Sequence, residues 1–388
     1  MEPTSNTPAC VMIDARYVGP HTSGIGRYTQ NLIDQLLRID SDLRLSLICD
    51  PAAPQAGFKD HPNRERLTFQ TYGVEPNSLR TRFVMPSKID MDGIDIYHSP
   101  FNILPANIKT RATFTLHDIM WLLDANFCTD SWLRKIVTGT FYKQLIPRSV
   151  AQAQHLMTVS HASREAIEEY FPEVRGRVDV TYNGVDPFFS PMDRDEAWPL
   201  LTDWLERETP FVLVVGQGSP YKNHAGALAA FIEAFEDVPE VKFVLVRRLS
   251  RGPSTELFEL MQHPKMKNRI VHLEHVSGDQ LRALYSMAFS FLFPSIYEGF
   301  GLPALEAMAC GTPVVTSDFG AMAEVGGSAA VLVNPTDRTS IAAGLRQLWD
   351  DRVFWESRRA AGLVRAAEFT WERCASQALS VYQRMLEP

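Results

Sequence analysis

The chain has 388 residues, 45% of them apolar and 22% charged, with a formal net charge of −8. That length serves two domains with separate cores, and the composition is that of a globular protein. The acidic balance excludes general nucleic-acid binding, and no apolar run reaches the ~18 residues needed to span a bilayer.

Up to residue 190 there are 19 Lys/Arg against 21 Asp/Glu, and beyond it 19 against 25, so the acidity lies mostly in the second half. Cys10, Cys49, Cys128, Cys310 and Cys374 are odd in number, widely spaced and without a CxxC pair. Unpaired thiols in a reducing compartment follow. Residues 1–9 carry neither a basic start nor an apolar signal core, so the expected location is cytoplasmic.

Short apolar runs alternate with helical patterns along the whole chain, which predicts an α/β protein with mostly parallel sheets. In the first half the predicted strands are Cys10–Asp14, Leu43–Cys49, Leu67–Thr71, Ile94–His98, Ala112–Leu116, His155–Val159 and Val178–Tyr182. In the second half they are Phe211–Val215, Lys242–Val246, Ile270–Leu273, Phe289–Phe293, Pro313–Thr316 and Ala330–Val333. Each half reads as one doubly wound, Rossmann-like unit. Asp186–Pro191, with two prolines, reads as the linker. The domains are then 1–187 and 188–370, with 371–388 as a C-terminal helix.

Units of this kind bind ligands at the C-terminal ends of their strands. Four segments obey that rule. Ser23-Gly24-Ile25-Gly26-Arg27 follows the first strand, and His117-Asp118 follows the fifth. Gly216-Gln217-Gly218-Ser219-Pro220-Tyr221-Lys222 follows the first strand of the second half, and Glu298 to Glu306 follows Phe289–Phe293.

The last segment is the most informative. Glu298 and Glu306 stand eight positions apart, with Gly299, Phe300 and Gly301 leading into an apolar helix. Pro303 suits the first helical turn, and Gly311 suits the helix end. Glu306 is the single polar residue between Ala304 and Cys310. A helix apolar all round is buried, and an ionised carboxylate inside it requires hydroxyl or amide partners. Gly299 and Gly301 let the backbone approach a ligand, with the N–H groups of the helix start aimed at an anion.

The other segments admit two readings each. Gly24 and Gly26 suit either a phosphate-cradling turn or a tight strand–helix connection. Lys222, just before an apolar helix, opposes the macrodipole and so hints at an anionic ligand; a solvated lysine fits too. His117 could donate to a sugar oxygen or a phosphate, or be structural beside a capping Asp118. Asp90-Met91-Asp92 imitates a metal-binding carboxylate pair but reads as a solvated turn, and no cluster has metal-ligand spacing. Residues 132–148 hold four basic side chains and no acid, with apolar positions Leu133, Ile136, Val137, Phe141 and Leu145. They form either an ordinary basic-faced helix or one that rests on an anionic membrane leaflet.

Together these residues resemble the large family four of bacterial mannosyl-, glucosyl- and rhamnosyltransferases, retaining enzymes of the GT-B fold. The resemblance spans almost the whole chain. Its most specific element is Glu298–Val315, which matches the family's E-x7-E region. Supporting segments are Ser23–Tyr28, Thr115–Asp118, Val159-Ser160, Asn183–Asp186, Pro220–Asn223 and Phe369–Arg373.

The resemblance implies two Rossmann-like domains across a central cleft, with the last helix crossing back to the first. It implies that Glu298 holds hydroxyls of a donor sugar and Glu306 the ribose hydroxyls. Gly299, Phe300, Gly301 and Leu302 would cradle the diphosphate and Lys222 neutralise it, while Gly24, Gly26 and His117 line the reaction centre. Two departures stand out. Gln217 occupies a place where the family commonly has a basic residue, and Arg247-Arg248 replace a glycine-rich turn; Lys222 with Arg247 or Arg248 would then stabilise the leaving group.

The implied function is transfer of a hexose, mannose favoured, from a nucleotide-sugar such as GDP-mannose to a glycan or polyprenyl-diphosphate-linked acceptor in surface polysaccharide or lipopolysaccharide synthesis. The nucleotide-sugar is a co-substrate, with no metal or other cofactor, and residues 132–148 offer peripheral contact with the inner membrane face. An epimerase of the same fold would consume donor without acceptor. A non-catalytic scaffold subunit, which Gln217 favours, would give no product.

Overall fold

A computed structural model describes residues 8–19, 23–55, 57–129, 131–247 and 254–387. All thirteen predicted strands are present, with ends shifted by no more than two residues, because buried parallel strands read as near-continuous apolar runs.

The first unit comprises residues 1–119, 138–184 and 370–388. Its sheet is built from β1 (Cys10–Asp14), β2 (Arg44–Cys49), β3 (Leu67–Thr71), β4 (Ile96–Ser99), β5 (Arg111–Thr115), β6 (His155–Thr158) and β7 (Val178–Val180). These seven strands run in the order β3-β2-β1-β4-β5-β6-β7, all parallel. The order reverses between β1 and β4, where Met12 pairs Ser46 on one side and Tyr97 on the other.

Helix Gly24–Ile39 is capped by Ser23 and packs against the last helix, Trp371–Leu386, which Thr370 caps. Leu32, Leu36, Ala378, Val381 and Tyr382 close one core over Val11, Ile13, Leu45 and Leu47. The two helices are brought together by chain ends far apart in sequence. At Gly184 a Cβ would stand 2.2 Å from the Trp371 nitrogen, so only glycine admits the last helix there.

The second unit comprises residues 120–137 and 185–369. Its strands are β8 (Phe211–Val215), β9 (Lys242–Val246), β10 (Ile270–Leu273), β11 (Ser290–Phe293), β12 (Val314–Ser317) and β13 (Val331–Val333). They form a parallel sheet in the order β10-β9-β8-β11-β12-β13, reversing between β8 and β11.

Residues 120–137, which the sequence places within 1–187, group with this second unit. The reason is local: the short helix Ala125–Cys128 lies against the turn Pro220–Lys222. Residues 132–148 do form one continuous helix, Trp132–Gln152, with Pro147 inside it. Among the described residues no helix is long and apolar enough to cross a membrane.

Candidate functional site

In the second unit the chain leaves β8 and β11 at the point where strand order reverses, which is where doubly wound sheets open a crevice. After β8 comes a single turn, Pro220–Lys222, then Asn223 in the left-handed conformation (φ 52°) and helix His224–Ala234. Asn223 tolerates that conformation, and its amide donates to the carbonyls of Pro335 (2.7 Å) and Pro294 (3.3 Å). The Ile296 amide donates to the Tyr221 carbonyl at 2.7 Å, tying the two loops together.

Across that tie Lys222 Nζ donates to Glu298 Oε1 at 2.5 Å, with the two side chains 9% and 11% exposed. The ammonium also lies 4.6 Å from the Phe293 ring centre and 5.0 Å from that of Tyr221. Two residues that the sequence treats as separate ligand contacts therefore hold each other. A cation enclosed by two aromatic faces and one carboxylate is compensated although little water reaches it.

Gly301 caps helix Leu302–Ala309 with φ +103°, a conformation that side chains rarely adopt. A Cβ there would also overlap the Met322 methyl. Pro303 occupies the first turn, and Gly311 (φ +80°) follows the end, as predicted. Phe300 is buried and meets Phe369 edge-to-face at 5.7 Å.

Ala304 to Met308 are all buried, Glu306 among them. Its Oε2 accepts from the Tyr285 hydroxyl at 3.1 Å. Tyr285, itself fully buried on helix Gly278–Met287, is a partner the sequence analysis did not identify. It lies 21 positions away on another element, and nothing local marks it.

Gln217 is exposed, whereas Arg247 is buried at the end of β9. The Gly216 amide donates to the Val246 carbonyl at 3.1 Å, holding the β8 and β9 ends side by side. Arg247 Nη1 stands 3.4 Å from His224 Nδ1, and burial followed by the charges of Arg247 and Lys222 pushes the His224 pKa down to about 3. His224 also escaped the sequence analysis. Arg248 lies outside the described residues.

In the first unit Ser23 Oγ accepts from the Gly26 amide at 3.0 Å, so that N–H is occupied by the helix cap. A Cβ at Gly26 would stand 2.5 Å from the Tyr17 carbonyl oxygen, which makes Gly26 a requirement of the tight turn; Gly24 has open space around it. His117 sits at the end of β5 and meets Tyr28 edge-to-face at 4.9 Å. Its Nε2 is 2.9 Å from the Pro100 carbonyl. A carbonyl only accepts, so Nε2 carries the proton and Nδ1 of the neutral ring is an acceptor. Burial lowers the His117 pKa to about 4, which keeps the ring neutral at pH 7. Of the readings the sequence leaves open for His117, the Nε2 proton is held by the Pro100 carbonyl, and in this state the other ring nitrogen can only accept, as from a hydroxyl.

The family model described as glycosyltransferase family 4 matches residues 22–188, and that described as glycosyl transferases group 1 matches residues 203–363. An O-antigen chain mannosyltransferase B from Escherichia coli is 31% identical over 289 residues, covering 74% of each chain. The chain belongs to the family four glycosyltransferases. Their GT-B fold is also that of two solved structures. Sucrose-phosphate synthase from Thermosynechococcus elongatus superposes with a TM-score of 0.75 at 20% identity, covering 97% of this chain and 98% of its own. An Anabaena protein in complex with UDP and glucose gives 0.70 at 18%, covering 97% and 100%.

Within this glycosyltransferase the β8/β11 end gathers Lys222, Glu298, Gly299, Phe300, Gly301, Leu302 and Glu306, with Gln217 and Arg247 on the β8/β9 side. Gly24, Gly26 and His117 belong to the first unit. The second-unit set combines two cations, two carboxylates and a helix N-terminus, the elements that recognise an anionic group bearing hydroxyls. Asp90 accepts from the Asp92 amide in an exposed turn, as a solvated loop should. No group of three or more His, Cys, Asp or Glu able to hold a metal occurs among the described residues.

Proposed function

We propose that this glycosyltransferase moves mannose, with retention and without a metal, from GDP-mannose to a glycan carried on polyprenyl diphosphate in surface polysaccharide synthesis. The observation that carries a nucleotide-sugar site is the Lys222–Glu298 pair at the β8/β11 reversal, beside the start of helix Leu302–Ala309. The similarity to an O-antigen chain mannosyltransferase supports mannose as the sugar.

The chemistry follows from an exchange of partners. A diphosphate entering beside the helix start attracts Lys222 away from Glu298. The released carboxylate then accepts from sugar hydroxyls, while Glu306, held by the Tyr285 hydroxyl, receives the ribose hydroxyls. The transition state separates a sugar cation from a nucleoside diphosphate, and positive charge aimed at the departing phosphate stabilises it most directly. The acceptor attacks the same face, its proton passing to the leaving phosphate, so no protein nucleophile is invoked. The neutral His117 ring accepts from a hydroxyl.

The helix Trp132–Gln152 supports docking on an anionic leaflet. Trp132, Leu133, Ile136 and Val137 are 71%, 55%, 57% and 61% exposed. Arg134, Lys143 and Arg148 are exposed on the same helix, and no acid occurs in it. An apolar face edged by basic side chains is the arrangement that enters a headgroup layer.

Incubation with radiolabelled GDP-mannose and a polyprenyl-diphosphate-linked oligosaccharide tests the activity. A mannosylated lipid with an α linkage, formed equally in chelator, is expected; GDP release without acceptor, or no product from any nucleotide-sugar, would overturn it.

A further inference from the structure

Gln217 carries no charge, and a cation reaches its turn from a different strand. Arg247 leaves β9 and packs under the Gly216–Gly218 turn. A Cβ at Gly218 would stand 2.7 Å from Arg247 Nη2 and 2.9 Å from Nε, so the turn and the guanidinium fit because residue 218 has no side chain.

His224, the first residue of helix His224–Ala234, fixes the other side. A guanidinium only donates, so at 3.4 Å from Arg247 Nη1 the His224 Nδ1 must accept. The proton of the neutral ring then resides on Nε2. That N–H is buried and has no acceptor among the described residues. It is aimed at the glycine turn, since a Cβ on Gly216 would lie 3.1 Å from Nε2. A buried donor without an acceptor is destabilising. Its persistence beside a buried arginine, a lysine and a helix N-terminus points to an incoming anion as the missing acceptor.

Resting on the nucleotide-sugar reading above, we infer that Arg247 is a diphosphate-binding residue and that His224 is its positioning residue, holding the guanidinium beneath the Gly216–Gly218 turn. Arg247 thereby supplies the charge that Gln217 does not. Its planar fork suits two phosphate oxygens, and the Nε2–H of His224 adds a third donor.

The test is calorimetric titration of the full chain with GDP and with GMP, and with UDP and UMP. The readout is the ratio of monophosphate to diphosphate Kd within each series. Arg247→Met and His224→Leu are expected to reduce that ratio about tenfold, the loss of one hydrogen bond to a charged group, with monophosphate affinity less affected. His224→Asn places an acceptor oxygen near the Nδ1 position and should recover most of the ratio. Gly218→Ala removes no charge yet displaces the guanidinium, and should lower it. Wild-type ratios in both Arg247→Met and His224→Leu would overturn the inference while leaving the donor site standing. Wild-type protein that binds diphosphates no better than monophosphates in either series would overturn the nucleotide-sugar reading itself.

Discussion

Lys222 and Glu298, 76 positions apart, meet at 2.5 Å between the loops that leave β8 and β11. Both side chains are about nine-tenths enclosed, so neither charge is tolerated without the other. Removing one partner of a buried pair costs about 3–5 kcal/mol, and the slight exposure here places the expected loss toward the lower figure. Lys222→Met and Glu298→Gln should each destabilise the second unit, and the double variant should lose clearly less than the two together. Urea unfolding of all four proteins gives the coupling; additive losses would show that the pair is not coupled.

Glu306 is the buried carboxylate to which the proposed function assigns the ribose. Tyr285→Phe takes away its hydroxyl donor, and a hydrogen bond to a charged group is worth about 1.5–3 kcal/mol. Stability should fall by that order, with nucleotide affinity falling less. Glu306→Ala should do the reverse: a folded protein whose affinity for GDP drops at least tenfold, relative to its affinity for inorganic diphosphate. Equal GDP binding by Glu306→Ala and wild type removes the ribose assignment.

The strands were legible because parallel strands buried on both faces are apolar at nearly every position, as in Phe211–Val215, and need no knowledge of neighbours. Glu306 was legible for the same reason in reverse, as one charge in an apolar helix. What stayed hidden depends on long-range pairing. Tyr285 is one buried tyrosine among several until helix Gly278–Met287 is placed beside Leu302–Ala309. His224 opens a helix like any cap-adjacent residue until β9 delivers Arg247 to it. Gly26 illustrates a third kind of limit. The glycine was visible, but the Tyr17 carbonyl that demands it and the Ser23 hydroxyl that takes its amide were not.

Gly301 joins two constraints, a φ of +103° and contact with Met322. Gly301→Ala must strain the backbone, about 1–3 kcal/mol for a sparsely populated conformation, and must displace the methionine. A fall in Tm of several degrees is expected by calorimetry. Met322→Ala should be less harmful in the Gly301→Ala background than in wild type, because it removes the clash and leaves only the strain. Independent effects of the two substitutions would place the cost elsewhere.

The exposed face of helix Trp132–Gln152 makes a separate prediction. The 388-residue chain should sediment with vesicles containing phosphatidylglycerol and far less with pure phosphatidylcholine, and binding should weaken with salt. Trp132→Ser with Ile136→Ser should reduce sedimentation with little change in stability, since both side chains are exposed already. Unchanged sedimentation in that double variant would exclude this face as the contact.

Three imidazoles with lowered pKa values set the acid side of the stability curve. Burial holds His98 and His224 at about 3 and His117 at about 4, against an unfolded value near 6.5. His98 is locked between the Tyr382 hydroxyl (2.6 Å) and Thr115 Oγ1 (2.9 Å). Well above pH 6.5 the rings are neutral in both states and contribute no slope. As pH falls below it, the unfolded chain takes up protons that the folded protein refuses, so stability drops. Each ring contributes up to about 1.4 kcal/mol per pH unit until the folded pKa is reached. Urea unfolding at steps from pH 7.5 to 5 should therefore show declining stability, in the first unit through His98 and His117 and in the second through His224. His98→Gln should lower stability at pH 7.5, by disturbing the Tyr382 and Thr115 contacts, yet flatten the slope by close to one proton. An unaltered slope in that variant would mean that His98 titrates alike in the folded and unfolded chain.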